Sequence, residues 1–249
     1  MSQADQLSKI ATKPSSEVKK SDILANKKSL LKELSEIQEK LYAQHVFSVL
    51  IVLQGMDTSG KDSAVKQVFT GVNPAGCNVT SFKAPTLIEQ DHHFLWRISK
   101  ACPSSGMIHI FNRSHYEDIL VPMVNGTLTE KKLSERCKQI NAFEKGLIGA
   151  QTIVIKFFLH VSQEEQLKRL EERRDNPVKQ WKFNKQDIVD INKHQQFAKA
   201  YQFIFDHDSN AIPWNIIPSD KKWYRNYCIL NHIVQTLQQY RFTYPKMIE

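Results

Sequence analysis

Six of the seven residues from Phe47 to Leu53 are apolar, mostly β-branched or leucine, and such an unbroken run suits a strand buried on both faces. A glycine-framed turn ends it, and Val65, Val68 and Phe69 then recur at helical spacing, which predicts a helix over Asp62–Phe69. Shorter apolar runs predict further strands at Asn78–Phe82, Met107–Phe111, Thr152–His160 and Trp214–Ile217. Helical spacing is expected over Leu87–Lys100, through a long polar region after the fourth strand, and over Trp223–Tyr240. Ahead of the first strand, Leu30, Leu34, Ile37 and Leu41 form the apolar stripe of an amphipathic helix, Ser29–Tyr42, expected on the domain edge or on another subunit. Strands alternating with helices imply an α/β fold: a mainly parallel five-stranded sheet flanked by helices, with ligands at the carboxyl ends of the strands.

Residues 1–28 are polar, rich in Lys, Ser and Thr and interrupted by Pro14, and are expected to form a mobile arm. Residues 29–249 are expected to form one domain, since 249 residues with 41% hydrophobic content suffice for a single substantial core. Lys and Arg outnumber Asp and Glu by 34 to 26, a net charge of +8 that favours a polyanionic partner. Cys77, Cys102, Cys137 and Cys228 include no C-x-x-C pair and read as free thiols of a reducing compartment. No apolar run approaches the roughly 20 residues that span a bilayer, and the N-terminus lacks a signal-peptide core, so a cytoplasmic protein without membrane contact is expected.

The turn after the first strand, Gly55-Met56-Asp57-Thr58-Ser59-Gly60-Lys61-Asp62, fits G-x-x-x-x-G-K. Its glycines let the backbone wrap an anion, the following helix aims free amides at it, and Lys61 adds a mobile charge. Asp62 replaces the usual Ser or Thr, and Asp57 places a second carboxylate inside the loop. After the second strand, Lys83 is placed to reach a phosphate, although a solvated loop lysine fits nearly as well. After the third comes Asn112-Arg113-Ser114-His115-Tyr116-Glu117-Asp118, where Arg113 suits a phosphate and Glu117 and Asp118 suit Mg²⁺; a helix start with dipole-complementing carboxylates is the plainer alternative. His92 and His93 point about 100° apart on a helix and do not suit joint chelation. From Lys168 to Phe183 a basic run carries Arg169, Arg173 and Arg174 and ends in Trp181 and Phe183. It suits a lid over about 163–190 that closes on phosphates and excludes water, or else an ordinary solvated face. A phosphate cradle, cations and metal-binding carboxylates together describe phosphoryl transfer on a P-loop kinase fold.

The motifs LQGMDTSGKD, SFKAPT, IFNRSHYED, INAFE, KFFLHVSQEEQ, the RLEERRDNP-K-WKF lid and DKKWYRN occur in this order over about Leu41–Tyr240. In this the chain resembles the family-2 polyphosphate kinases, relatives of thymidylate kinases that use polyphosphate as donor, and is most similar to their class III branch. The resemblance implies transfer of terminal phosphate to nucleoside mono- or diphosphates, AMP and ADP or GMP and GDP, with Mg²⁺ or Mn²⁺ as cofactor. It implies a homo-oligomer, dimer or tetramer, and no nucleic-acid partner. Asp57, Lys61, Arg113 and Asp118 would be catalytic, and Asp57, Asp62, Glu117 and Asp118 would hold metal. Gly55, Met56, Thr58, Ser59, Gly60, Asp62, Lys66, Lys83, Asn112, Arg169, Arg173 and Arg174 would bind phosphate or nucleotide, with Arg136 along the same groove. Other branches carry Asp where this chain has Asn112, which shifts the expected metal site towards Asp57 and the Glu117/Asp118 pair. An ATP-dependent nucleotide or nucleoside kinase shares the loop, sheet and lid, and a nucleic-acid-binding protein would account for the charge alone.

Overall fold

A computed structural model describes residues 7–209 and 211–246. The chain runs α1 (Lys20–Gln44), β1 (Ser48–Gln54), α2 (Lys61–Val68), β2 (Cys77–Ser81), α3 (Leu87–Gln90), α4 (Trp96–Lys100), β3 (Ile108–Asn112), α5 (Glu117–Asn125), α6 (Glu130–Gly149) and β4 (Thr152–His160). It continues through α7 (Gln163–Asp175), a 3-10 turn at Gln180–Lys182, α8 (Lys185–Asn192), α9 (His194–Asp206), β5 (Trp214–Pro218) and α10 (Lys222–Gln238). The five strands form one parallel sheet in the order β2-β3-β1-β4-β5, as expected for strands joined by helical crossovers.

β1 is buried along its whole length, and its two-residue alternation divides the core. Leu50 and Val52 face Phe111, Phe158 and the helices α5, α6 and α9, whereas Val49, Ile51 and Leu53 face α1, α2 and α10. Each of these side chains contributes roughly 1.5–3 kcal/mol through burial, so the sheet centre anchors the strand ends that carry the chemistry. Among the described residues, no helix is long and apolar enough to cross a membrane.

Three elements differ from the sequence expectation. The expected helix over Leu87–Lys100 breaks at residues 91–95: the His92 ring bonds back to Ile88 O, and His93 takes the Leu95 amide, so the side chains compete with the helical ladder. α6 was not anticipated, because its buried stripe of Leu133, Cys137, Ile140 and Glu144 contains a thiol and a carboxylate within a mostly polar run. Of the expected arm of residues 1–28, residues 7–28 are described, and part of them packs on the sheet domain. α1 begins at Lys20, Leu7 is buried, His160 donates to Ile10 O at 3.1 Å, and Thr12 donates its hydroxyl to Asp220 at 2.8 Å. Residues 7–12 thus strap the carboxyl ends of β4 and β5, while residues 1–6 lie outside the described residues.

Candidate active site

The loop between β1 and α2 is shaped from beneath by two buried arginines. Arg225 of α10 donates to Ser59 O at 2.9 Å and to Ser63 Oγ at 2.8 Å. Arg169 of α7 donates to Thr58 O at 2.9 Å, Ser59 O at 3.0 Å and Ser219 O at 2.6 Å. Apart from Glu165, Arg169 spreads its donors over backbone carbonyls alone, and Arg225 divides its own between Ser59 O and the side chains of Ser63 and Asn226; the fixed fork suits arginine better than lysine. Gly60 has φ 97°, and a Cβ there would overlap the Arg225 guanidinium. At Gly55 a Cβ would stand 2.8 Å from Ser59 Oγ and 2.9 Å from Leu159 O. The glycines of the motif therefore answer to close packing under the loop as well as to its curvature.

Lys61 is buried and folds back over the loop, donating to Gly55 O at 2.6 Å and Met56 O at 3.2 Å. Burial, helped by the nearby Arg113 charge, lowers the ammonium below its ordinary value. Asp57 accepts from Arg113 at 2.7 Å. Burial pushes its carboxyl up, but the Lys61 and Arg113 charges, with hydrogen bonds from the Asp190 and Arg113 side chains, hold it below the ordinary value. Arg113 adopts a left-handed backbone, φ 63°, while its amide bonds Leu53 O at 3.1 Å. Asn112 donates to Asp62 at 2.6 Å, Lys182 lies 4.0 Å from the same carboxylate, and Arg173 pairs with Asp187 at 2.9 Å.

These groups surround a cavity of about 400 Å³ at the strand ends. Lys61, Lys83, Arg113, Arg173 and Lys182 line it with Asp57, Asp62 and Asp187, so five cations meet three carboxylates. A smaller cavity of about 100 Å³ shares Asp57 and Arg113 and adds Met56, Glu117, Gln166, Asp190 and Tyr201. Tyr201 accepts from the Gly55 amide at 3.1 Å, and Gln166 donates to Asp57 O at 2.7 Å. Burial raises the Glu117 carboxyl above its ordinary value, against the pull of Arg113 and Lys61.

Not every residue expected here arrives. Arg169 lies under the loop with its donors on carbonyls, so it supports the cradle without facing the cavity. Arg174 is exposed and pairs with Asp175 at 2.8 Å, and Lys66 is exposed on α2 away from both cavities. Asp118 points to Arg97 at 3.6 Å and enters neither cavity, because the first turn of α5 sends it and Glu117 to different sides. Arg136 is occupied at Asp118 O, 2.6 Å away, and stacks on Phe94. Ser59 is buried with an unpartnered Oγ and lines neither cavity, whereas Thr58 lines the larger one and its hydroxyl reaches Gln166 O at 3.5 Å.

The expected metal set of Asp57, Asp62, Glu117 and Asp118 does not converge, and no group of three or more potential ligands occurs among the described residues. Mg²⁺ nevertheless takes one or two carboxylates and completes its shell with phosphates and water. An ionised Asp57 in a cavity shared with Asp62 and Asp187 suits that donor requirement.

Arg225, Gln166, Lys182, Asp187, Asp190 and Tyr201 were not singled out from sequence. Arg225 had a legible signal: it begins the stripe Arg225, Ile229, Ile233, Leu237, so a charge stands on an otherwise apolar helix face. Tyr201 likewise falls in register with Phe197 and Phe205.

Residues 17–244 match the family described as Polyphosphate kinase 2 (PPK2). The chain is 42% identical over 218 residues to the AMP/ADP-polyphosphate phosphotransferase of Meiothermus ruber, covering 87% of this chain and 82% of the relative. It is 34% identical over 229 residues to the ADP-polyphosphate phosphotransferase of Rhodopseudomonas palustris, covering 87% and 79%. The crystal structure of Polyphosphate Kinase 2 from Arthrobacter aurescens TC1 superposes with a TM-score of 0.94 at 35% identity, covering 97% of this chain and 88% of that one. With a parallel sheet, a glycine-framed cradle and a cationic cavity at the strand ends, the chain belongs to the polyphosphate kinase 2 family.

Proposed function

We propose that this protein transfers the terminal phosphoryl group of inorganic polyphosphate in line to AMP and ADP, and that it requires Mg²⁺. The observation that carries this reading is the convergence of five cations and an ionised Asp57 on one cavity beside the phosphate loop. A phosphoryl group in flight spreads negative charge over its equatorial oxygens, so positioned cations supply most of the catalysis. Lys61 and Arg113 are the cations for that group, while Lys83, Arg173 and Lys182 hold the remaining phosphates. Asp57 would hold the metal, and Asp62 and Asp187 line the same cavity. Bound there, Mg²⁺ supplies charge neutralisation across the phosphate oxygens. The choice of adenine nucleotides follows the Meiothermus ruber relative, which has an AMP/ADP name. The same reading extends to a homo-oligomer in the reducing cytoplasm, supported by four unpaired cysteines and by the exposed apolar pair Leu87 and Ile88.

The test supplies ADP, polyphosphate and Mg²⁺ without ATP and follows ATP formation; AMP in place of ADP should give ADP. Lys61→Ala should lower turnover by about 10²–10³-fold, the usual cost of losing one donor to transition-state charge. Phosphorylation that proceeds from ATP but not from polyphosphate would reassign the protein as an ATP-dependent kinase.

A further inference from the structure

Beneath the Arg113 loop lies a polar cluster that touches neither cavity. Lys156 stands in the middle of β4, fully buried, and its ammonium donates to Glu144 at 2.9 Å, to Tyr116 OH at 2.9 Å and to Asp208 at 2.7 Å. Glu144 of α6 also accepts from Tyr116 OH at 2.8 Å and lies 3.1 Å from His115 Nε2. His115, Tyr116, Glu144 and Lys156 are each at most 3% exposed. A pair of opposite charges in a sheet core is costly to bury, and apolar residues of similar volume would usually serve stability as well or better. The cluster therefore calls for an explanation other than cohesion.

Its connections supply one. His115 and Tyr116 follow Arg113 almost directly in the chain, and Arg113 holds a left-handed backbone while its guanidinium meets Asp57. A non-glycine residue stays in that conformation only where its surroundings over-determine it. Asp208 lies just beyond α9, the helix whose Tyr201 accepts from the Gly55 amide. The cluster thus joins the loop that presents Arg113 to the helix that braces the phosphate loop.

We propose that Glu144 and Lys156 are positioning residues, which through His115 and Tyr116 fix the Arg113 loop against the phosphate loop. The inference rests on the phosphotransfer reading for its assay, and the two fail separately: an incorrect reaction leaves the wild type inactive, whereas an incorrect inference alters only the variants.

Two substitutions test it. Tyr116→Phe keeps the ring and removes the hydroxyl between Lys156 and Glu144. Glu144→Gln removes one carboxylate while Lys156 retains Asp208. Both are assayed below their unfolding transitions. Misplacement of a reacting group by about 1 Å costs up to about 10²-fold, so kcat should fall about 10- to 100-fold, with KM for ADP and polyphosphate within about twofold of wild type. In an Arg113→Lys background, the further loss from Tyr116→Phe should shrink to under about twofold, because residues acting through one another are not additive. Unchanged kcat, loss that only follows the folded fraction, or an equal loss in both backgrounds overturns the proposal and leaves the cluster a matter of stability alone.

Discussion

Arg225 and Arg169 show how a residue type can mislead about its role. Both are cations beside the glycine-framed loop, yet their donors are spent beneath it, Arg225 on Ser59 O and the side chains of Ser63 and Asn226, Arg169 on Thr58 O, Ser59 O and Ser219 O. Their charges still add to the positive field that phosphates would meet above. The arrangement constrains Gly60 twice over, since it combines a positive φ with contact against Arg225. Gly60→Ala should cost about 1–3 kcal/mol from backbone strain alone, read as a lower urea midpoint. An unchanged midpoint would mean that Arg225 gives way freely and that the loop is not shaped from below. Asp57 is different: its carboxyl is held down by Lys61 and Arg113 against burial, so the Asp57–Arg113 pair persists until the pH falls below the ordinary carboxylate range.

At the level of elements, α7, the 3-10 turn and α8 carry Arg173, Lys182 and Asp187 to the wall of the cavity. Their root is fixed by Asp220, which follows β5. Asp220 accepts from Ser162 N at 2.9 Å, from Ser162 Oγ at 3.0 Å and from Thr12 Oγ1 at 2.8 Å. Ser162 is itself the N-cap of α7, taking the Glu165 amide at 3.2 Å. Sheet end, lid helix and N-terminal strap therefore meet at one carboxylate. Asp220→Ala should destabilise the protein by about 1.5–3 kcal/mol, the range for hydrogen bonds to a charged group. It should also raise KM for polyphosphate, because Arg173 and Lys182 would lose their fixed root. Thermal melts and initial rates measure the two effects, and an unaltered KM would detach the strap from the lid.

For the whole molecule the excess of eight positive charges gains meaning from its partner. A polyphosphate chain, like a nucleic acid, carries condensed counterions that basic side chains displace on binding. KM for long-chain polyphosphate should therefore rise steeply with salt, with log KM near linear in log salt concentration, while KM for ADP rises less. Equal salt slopes for the two substrates would show that only the phosphates inside the cavity are held.

The five strands, the parallel sheet and the glycine-framed turn after β1 were legible in the sequence, though α6 was not, because apolar period and glycine spacing are local properties of the chain. So was the grouping of Asp57, Lys61 and Arg113, which follows from placing each just beyond a strand of one sheet. The fates of the other charges depended on packing between distant segments. Arg169 went beneath the loop, Asp118 turned to Arg97, Lys156 was buried with Glu144, and Asp187 entered the cavity from the lid. A side chain's charge is written in the sequence, but its partner is chosen by how α6, α7 and α10 lie against the sheet. Only the tertiary structure decided which cations face the cavity and which hold the loop beside it.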